Sequence, residues 1–354
     1  MPVSNRENDL RTIKMTNPEW MPYDIRLCNL SWEILRKDLE DVVVRHPRSW
    51  PGFQRGSIDW NNLKFKPDED PDYGDYTDSW GCVWRTLSKG IVGGVIKHPL
   101  ADLKNFDSFS SPDPDQCTHM RKINWQEYRE LMSEIKAAGK LACGGVDHGF
   151  HLLRLEYLRG FENLIFDMVE EPPEFSKLVE MVHQFNKELV NRFIDNGTEL
   201  VRLPEDQGSQ QGSLIGPSLF AKWVKPYLKE LHDLVHSRGC LSHFHCDGNI
   251  MDIADQILEI GPDVFNPQDQ ANGIENLAAA FKGRLCFYLD FDRQHAIPFG
   301  TRKEIEDLVE YEVKTLGSAN GGLKITCEVR GEIPPENIDA LASALEKYST
   351  YWFE

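Results

Sequence analysis

The segment SHFHCDGN (242–249) brings His243, His245, Cys246 and Asp247 together within five residues. In an extended strand alternate side chains share a face. His243 and His245 therefore point one way and Cys246 the other, with Asp247 at the exit before Gly248. Imidazole, thiolate and carboxylate are the ligands that zinc accepts, and a catalytic zinc keeps three of them with one position open. A distant residue must complete such a set, and Cys327 or Glu328 is available. The same residues also allow a structural reading, with His243 satisfied inside a core and Cys246 packed as a small apolar side chain.

Comparable residues stand at comparable places along the chain. KLACGGV (140–146), ELVRLP (199–204), CLSHFHC (240–246), DVFNPQ (263–268), RLCFYLD (284–290) and LKITCEV (323–329) are short apolar runs of β type. They run out into His148, Glu205 and Asp206, Asp247, Gln268, Asp290 and Asp292, and Cys327 with Glu328. Aspartate is a common helix N-cap after a strand, which accounts for part of this pattern. It does not account for the histidines and the cysteines.

Between these runs the apolar residues recur at helical spacing. One such stretch extends from Pro173 to Gly197. A second extends from Pro217 to Gly239, where Pro226 should kink or divide the helix. Thr301 and Glu304 form a capping box, and Pro335 opens a last helix. Strand–helix alternation of this kind builds parallel βαβ units. With Tyr23–Leu27 and Gly90–Ile96 as two earlier strands, the expected fold is a (β/α)8 barrel of the TIM class with an N-terminal extension. Residues 1–120 would form that extension and an insertion packed on the barrel, and 121–354 its main part, in one structural domain. The Trp and Tyr residues of 45–125 favour a structured insertion over a mobile acidic loop. Barrel active sites lie at the C-terminal strand ends, so Glu205, Asp206, His245, Asp247 and Asp292 are expected to line one cavity.

Composition narrows the function. Asp and Glu number 57 against 39 Lys and Arg, a formal charge of −18, which disfavours a phosphate-binding face and hence nucleic acid. No apolar run approaches the ~18 residues of a membrane span, and the polar N-terminus lacks the apolar core of a signal peptide. Eight scattered cysteines without a CxxC pair read as reduced thiols of a cytoplasmic enzyme. Neither GxGxxG after the first strand nor GxxxxGK[ST] occurs, so dinucleotide and P-loop readings lose their support.

LRGFENLIFDM (158–168), LPEDQGSQQGSLIGPSLFAKWVKPYLKEL (203–231) and HCDGNIMDIADQILEIGPDVFNPQ (245–268) carry a family resemblance, and DFDRQHAIPFGTRKEIEDLV (290–309) and PPENIDAL (334–341) continue it. The chain resembles the uroporphyrinogen decarboxylase superfamily, and within it the corrinoid-linked methyltransferases. The resemblance implies a (β/α)8 barrel. It also implies a zinc ion held by His-x-Cys on one strand and a Cys near the last strand. His245 matches the first ligand and Cys327 the last, while Asp247 stands where the middle Cys would be, unless Cys246 substitutes for it. Carboxylate in place of thiolate makes the ion a harder Lewis acid, better suited to an oxygen group than to a thiol. The decarboxylases of the superfamily hold substrate carboxylates with arginines. Arg26 matches one of these, and the second is missing from LCNLSWEI.

The expected activity is therefore methyl transfer between a small O-, N- or S-methyl compound and a corrinoid carried by a partner protein. Asp206, His245 and Asp247 would be catalytic, and His245, Asp247 and Cys327 would hold the metal. Arg26, His148, Glu205, Gln268, Asp290 and Asp292 would bind substrate. The alternative is a metal-free decarboxylase or lyase of a small carboxylated compound, with Arg26 and Arg330 as anion holders. A homodimer is a family-level expectation.

Overall fold

Every one of the six β-type runs contains a strand in the computed structural model, which describes residues 3–60, 74–87, 93–331 and 333–353. In chain order the strands are β1 (Tyr23–Leu27), β2 (Gly74–Thr77), β3 (Val83–Thr86), β4 (Gly94–Lys97) and β5 (Cys143–Gly145). They continue as β6 (Leu200–Pro204), β7 (Leu241–Cys246), β8 (Val264–Pro267), β9 (Cys286–Asp290) and β10 (Leu323–Val329). Strands β1 and β5 to β10 form one parallel sheet in the order β1-β10-β9-β8-β7-β6-β5, curled as a barrel of the TIM class. Helices connect successive strands, as parallel pairing requires.

One expected strand lies elsewhere. Residues 90–92 of the Gly90–Ile96 run fall outside the described residues, and Gly94–Lys97 pairs antiparallel with β3 in a separate sheet, β2-β3-β4. Among the described residues the barrel sheet thus has seven strands rather than eight, with β1 and β5 at its edges. The physical reason is burial: parallel barrel strands are covered on both faces, whereas three of the four residues of β4 are exposed.

Alternation along each strand sorts side chains into two layers. Phe244, Cys246, Phe265, Phe287, Leu289 and Cys327 face the helices and belong to the main core. Leu141, Leu200, Val264 and Cys286 face inward near the strand starts, where Leu10 and Ile13 of the helix Asn5–Lys14 pack against them. That helix, capped by the Ser4 hydroxyl accepting from the Glu7 amide, closes the N-terminal end. The helix Pro173–Asp195 spans its expected stretch. The next one divides at Val224 into Gly216–Trp223 and Lys225–Ser237, so Pro226 falls in a first turn, where its missing N–H costs nothing. The Thr301–Glu304 capping box forms in full at the helix Arg302–Leu316.

The described part of the insertion is structured, and residues 61–73 and 88–92 of it lie outside the described residues. Trp80, Cys82 and Trp84 are buried around Asp78. The Asp78 carboxylate accepts from the amides of Trp80 and Cys82 at 3.0 and 2.9 Å and from Trp84 Nε1 at 3.0 Å. It also pairs at 2.6 Å with Arg154 of the helix Leu152–Arg159, both side chains wholly inaccessible. No described helix is long and apolar enough to cross a membrane.

Candidate functional site

The inward alternation that begins with Leu241 in β7 carries His243 and His245 into the barrel and delivers Asp247 to its C-terminal mouth. Gly248 follows at φ +80°, and a Cβ there would lie 2.3 Å from the Gly208 carbonyl. Only glycine lets the loops after β6 and β7 approach this closely. That approach sets Asp206 against Asp247, whose amide donates to Asp206 Oδ1 at 2.9 Å.

Four donor groups converge there. His148, in the loop after β5, places Nε2 3.2 Å from Asp206 Oδ1. His245 Nε2 lies 3.7 Å from Asp206 Oδ1 and 3.7 Å from Asp247 Oδ1. One ligand atom from each of His148, Asp206 and His245 falls within 4.8 Å of the others. Asp247 Oδ1 is buried with no hydrogen-bond partner. Burial alone would raise the Asp206 carboxyl, but the hydrogen bond and charge of His148, the Asp247 amide and His245 bring it down to about 2. Burial opposes the charge on His148, and the hydrogen bond and charge of Asp206 outweigh it, so His148 is raised.

The orientation of His245 comes from a residue that the sequence reading passed over. His245 Nδ1 lies 2.9 Å from Asn266 Oδ1 and 3.1 Å from the Asn266 carbonyl, and both are acceptors. The amide nitrogen of Asn266 donates to the Tyr288 carbonyl, which turns its oxygen toward His245. Nδ1 therefore carries the proton and Nε2 presents its lone pair to the cluster, an arrangement typical of metal-binding histidines. Arg293 was also passed over. It pairs with Asp247 Oδ2 at 3.2 Å and Asp290 Oδ2 at 3.0 Å. Burial pushes Asp290 up to about 6 against the pull of Arg293, with the Asp247 charge adding to the rise. Asn266 was readable, since alternation from the inward Val264 reaches it. Arg293 follows Asp292 beyond the strand exit, where alternation no longer tells which way a side chain points.

The remaining expected residues divide. Gln268 accepts from the Gly248 amide at 3.0 Å and stands beside the cluster. Arg26 sits on the lumen side of β1, half-exposed and 3.8 Å from Asp24. Glu205 is fully buried and faces away from the open mouth. Its Oε1 accepts from the amides of His151 and Leu153, both at 2.9 Å, at the start of the helix Leu152–Arg159. Asp292 accepts from the amides of Gln294, His295 and Ala296 in the turn after β9, and it lines a pocket at the mouth with Gln268, Asp290 and Arg293. Cys327 does not join the cluster. In β10 it is in register with Ile25, on the helix-facing side, and burial holds its thiol far above the ordinary range. Cys246 likewise faces outward and accepts from the Gln207 amide. The donor set at the mouth is therefore two imidazoles and two carboxylates. Arg330 pairs with Glu328 at 2.8 Å.

The model of the family described as uroporphyrinogen decarboxylase matches residues 88–348. Among solved structures, a methyltransferase from Methanosarcina mazei superposes with a TM-score of 0.67 at 13% identity, covering 98% of this chain and 99% of that one. A D-psicose 3-epimerase in the presence of D-fructose has a TM-score of 0.41 at 7% identity, with 71% and 87% covered. For a B12-independent methionine synthase from Shewanella sp. W3-18-1 the values are 0.40 and 12%, with 66% and 67% covered. No curated protein sequence matches the chain.

Proposed function

This chain belongs to the uroporphyrinogen decarboxylase family, and on that premise we propose that it is a methyltransferase moving a methyl group from a small methylated compound to a corrinoid carried by a partner protein. The observation that carries the reading is the convergence of His148, Asp206, His245 and Asp247 at one end of the barrel. These residues fit a divalent ion such as zinc. Two imidazoles and a carboxylate present ligand atoms within 4.8 Å of one another, and the buried Asp247 Oδ1 lacks any other partner. Bound there, the ion would supply Lewis acidity to the substrate atom that carries the methyl.

The protein residues do the rest. Asn266 fixes the free nitrogen of His245 toward the cluster, and Asp206 stays ionised under the hold of His148 and the Asp247 amide. Arg293 offsets the charges of Asp247 and Asp290, so the mouth is less anionic than its count of acids suggests. With no thiolate among the donors the cluster is hard, which favours an ether oxygen over sulfur as the leaving atom. The Methanosarcina mazei methyltransferase, alike along nearly its whole length, supports methyl transfer on this barrel.

The half-exposed Arg26 favours a second reading, a metal-free decarboxylase or lyase of a small acid. The experiment that separates the two combines metal analysis with methyl transfer to a reduced corrinoid from a panel of methoxylated and N-methylated compounds. Close to one zinc per chain and formation of methyl–cobalt are expected. Full activity after chelation, or release of carbon dioxide without methyl transfer, would refute the proposal.

A further inference from the structure

Below the mouth the lumen changes character. One step down the strands, Arg202 of β6 is in register with His243 of β7, and Tyr288 of β9 with Lys324 of β10. Register partners in a parallel sheet share a face, so all four side chains point into the lumen, and their contacts group them. The His243 and Tyr288 rings stand 5.6 Å apart, and Lys324 Nζ lies 4.8 Å from the Tyr288 ring centre. The apolar cluster of Leu141, Leu200, Val264 and Cys286 packs against Tyr288 from the side of the strand starts. Above the group stands His245.

Three features of this group call for a ligand. Among the described residues neither Arg202 nor Lys324 makes a side-chain hydrogen bond or an ion pair, apart from the contact of Lys324 with the Tyr288 ring. His243 is 4% exposed, yet both its ring nitrogens lack a partner. Arg202 is nevertheless exposed, so water reaches it. Buried polar groups are ordinarily satisfied, and a native orphan calls for an explanation. The acids whose charge acts on Lys324 are Asp9, from the helix that closes the N-terminal end, and Asp24. Neither comes within ion-pair distance of Lys324, and Asp24 lies 3.8 Å from Arg26.

We infer that Arg202, His243 and Lys324 form an anion subsite inside the barrel that receives a carboxylate of the methylated substrate. The inference rests on the methyl-transfer reading and deepens it: the substrates are methylated carboxylic acids, in preference to neutral ethers or amines. His243 and His245 are two residues apart on β7, about 6–7 Å at roughly 3.3 Å per residue. A six-membered ring bearing a methoxy group and a carboxylate on opposite atoms spans that gap. The carboxylate would sit on the cations while the ether oxygen reaches the cluster of His148, Asp206 and His245.

The test compares para-methoxybenzoate with para-methoxytoluene in methyl transfer to a reduced corrinoid. Losing a charge-assisted hydrogen bond corresponds to about tenfold or more. Arg202→Gln and Lys324→Met should each raise KM for the acid by about that factor, leave kcat within about twofold, and leave the neutral compound unchanged. Lys324→Arg, which keeps the charge, should retain the low KM. Equal handling of both compounds by the native enzyme, or equal damage to both by the variants, overturns the subsite. If no compound donates a methyl group, the functional reading fails but the subsite is still decided by calorimetric titration with benzoate. Binding that Arg202→Gln weakens about tenfold or more supports it. A folded native protein that does not bind benzoate, or a variant that binds it undiminished, overturns it.

Discussion

Glu205→Gln should remove a pH dependence of stability that the native chain carries. The Glu205 side chain is fully buried, with Oε1 taking two backbone amides and Oε2 left without a partner. Burial pushes its carboxyl up to about 7 from the ordinary 4.5, against the pull of the Leu153, His151 and Leu152 amides and of the charge on His148. Between those two values the folded chain keeps a proton that the unfolded chain has released. Stability therefore falls as pH rises through that window. The contribution is complete below about pH 4.5 and gone above about pH 7, and at about 1.4 kcal/mol per unit it amounts to roughly 3 kcal/mol. Glutamine keeps an oxygen for both amides and has nothing to titrate in this range. Denaturant unfolding of both proteins at intervals from about pH 5 to about pH 8 gives the difference, in which Asp290 and other shared groups cancel. The variant should gain roughly 2–3 kcal/mol over the native chain across the window and no more beyond it. A difference that stays level from one end to the other would refute the reasoning, whatever its absolute size.

Asn266→Ala takes away the side-chain acceptor of His245 Nδ1 and leaves only the carbonyl at 3.1 Å. Metal affinity, followed by competition with a chelating dye, should drop about 10–100-fold. Cys327→Ala should retain the metal content of the native chain, whereas His245→Ala should lose it, by elemental analysis of the purified proteins. Zinc lost from the cysteine variant alone would contradict the inward and outward assignment of β10. Arg154→Met strands the Asp78 carboxylate in the core and should cost about 3–5 kcal/mol in unfolding free energy. A loss below about 1 kcal/mol would show that the amides and Trp84 suffice to hold that charge.

Much of the barrel was legible because its strands are buried on both faces and stand out as short apolar runs between helical stretches. Tyr23–Leu27 and Leu323–Val329 coincide with the observed strands, and the other five lie within their runs. The Gly90–Ile96 strand misled because local β character says nothing about which sheet a segment joins, and its exposed residues belong to an antiparallel flap. At the mouth, alternation separated His245 from Cys246, and the same alternation in LKITCEV turns Glu328 inward and Cys327 outward. Family likeness at Cys327 masked that signal. Glu205 illustrates the opposite limit. Residue type and strand-end position place a carboxylate near the mouth, but whether it faces substrate or caps a helix is decided by backbone amides that a sequence does not display.

The pair of Asp78 and Arg154 bears on how freely the flap can be exchanged. Arg154 lies on the helix whose first amides bind Glu205, two residues past Leu152, so one short helix faces the flap on one side and a strand exit on the other. A chimaera that grafts a different flap onto this barrel would maroon a guanidinium with no solvent to receive it. A graft that transfers the flap to another barrel would do the same to Asp78. The flap and the helix must therefore travel together. In this chain diversification of the insertion is tied to the wall that carries it, and a library of swapped flaps should be built with positions 78 and 154 varied as a unit.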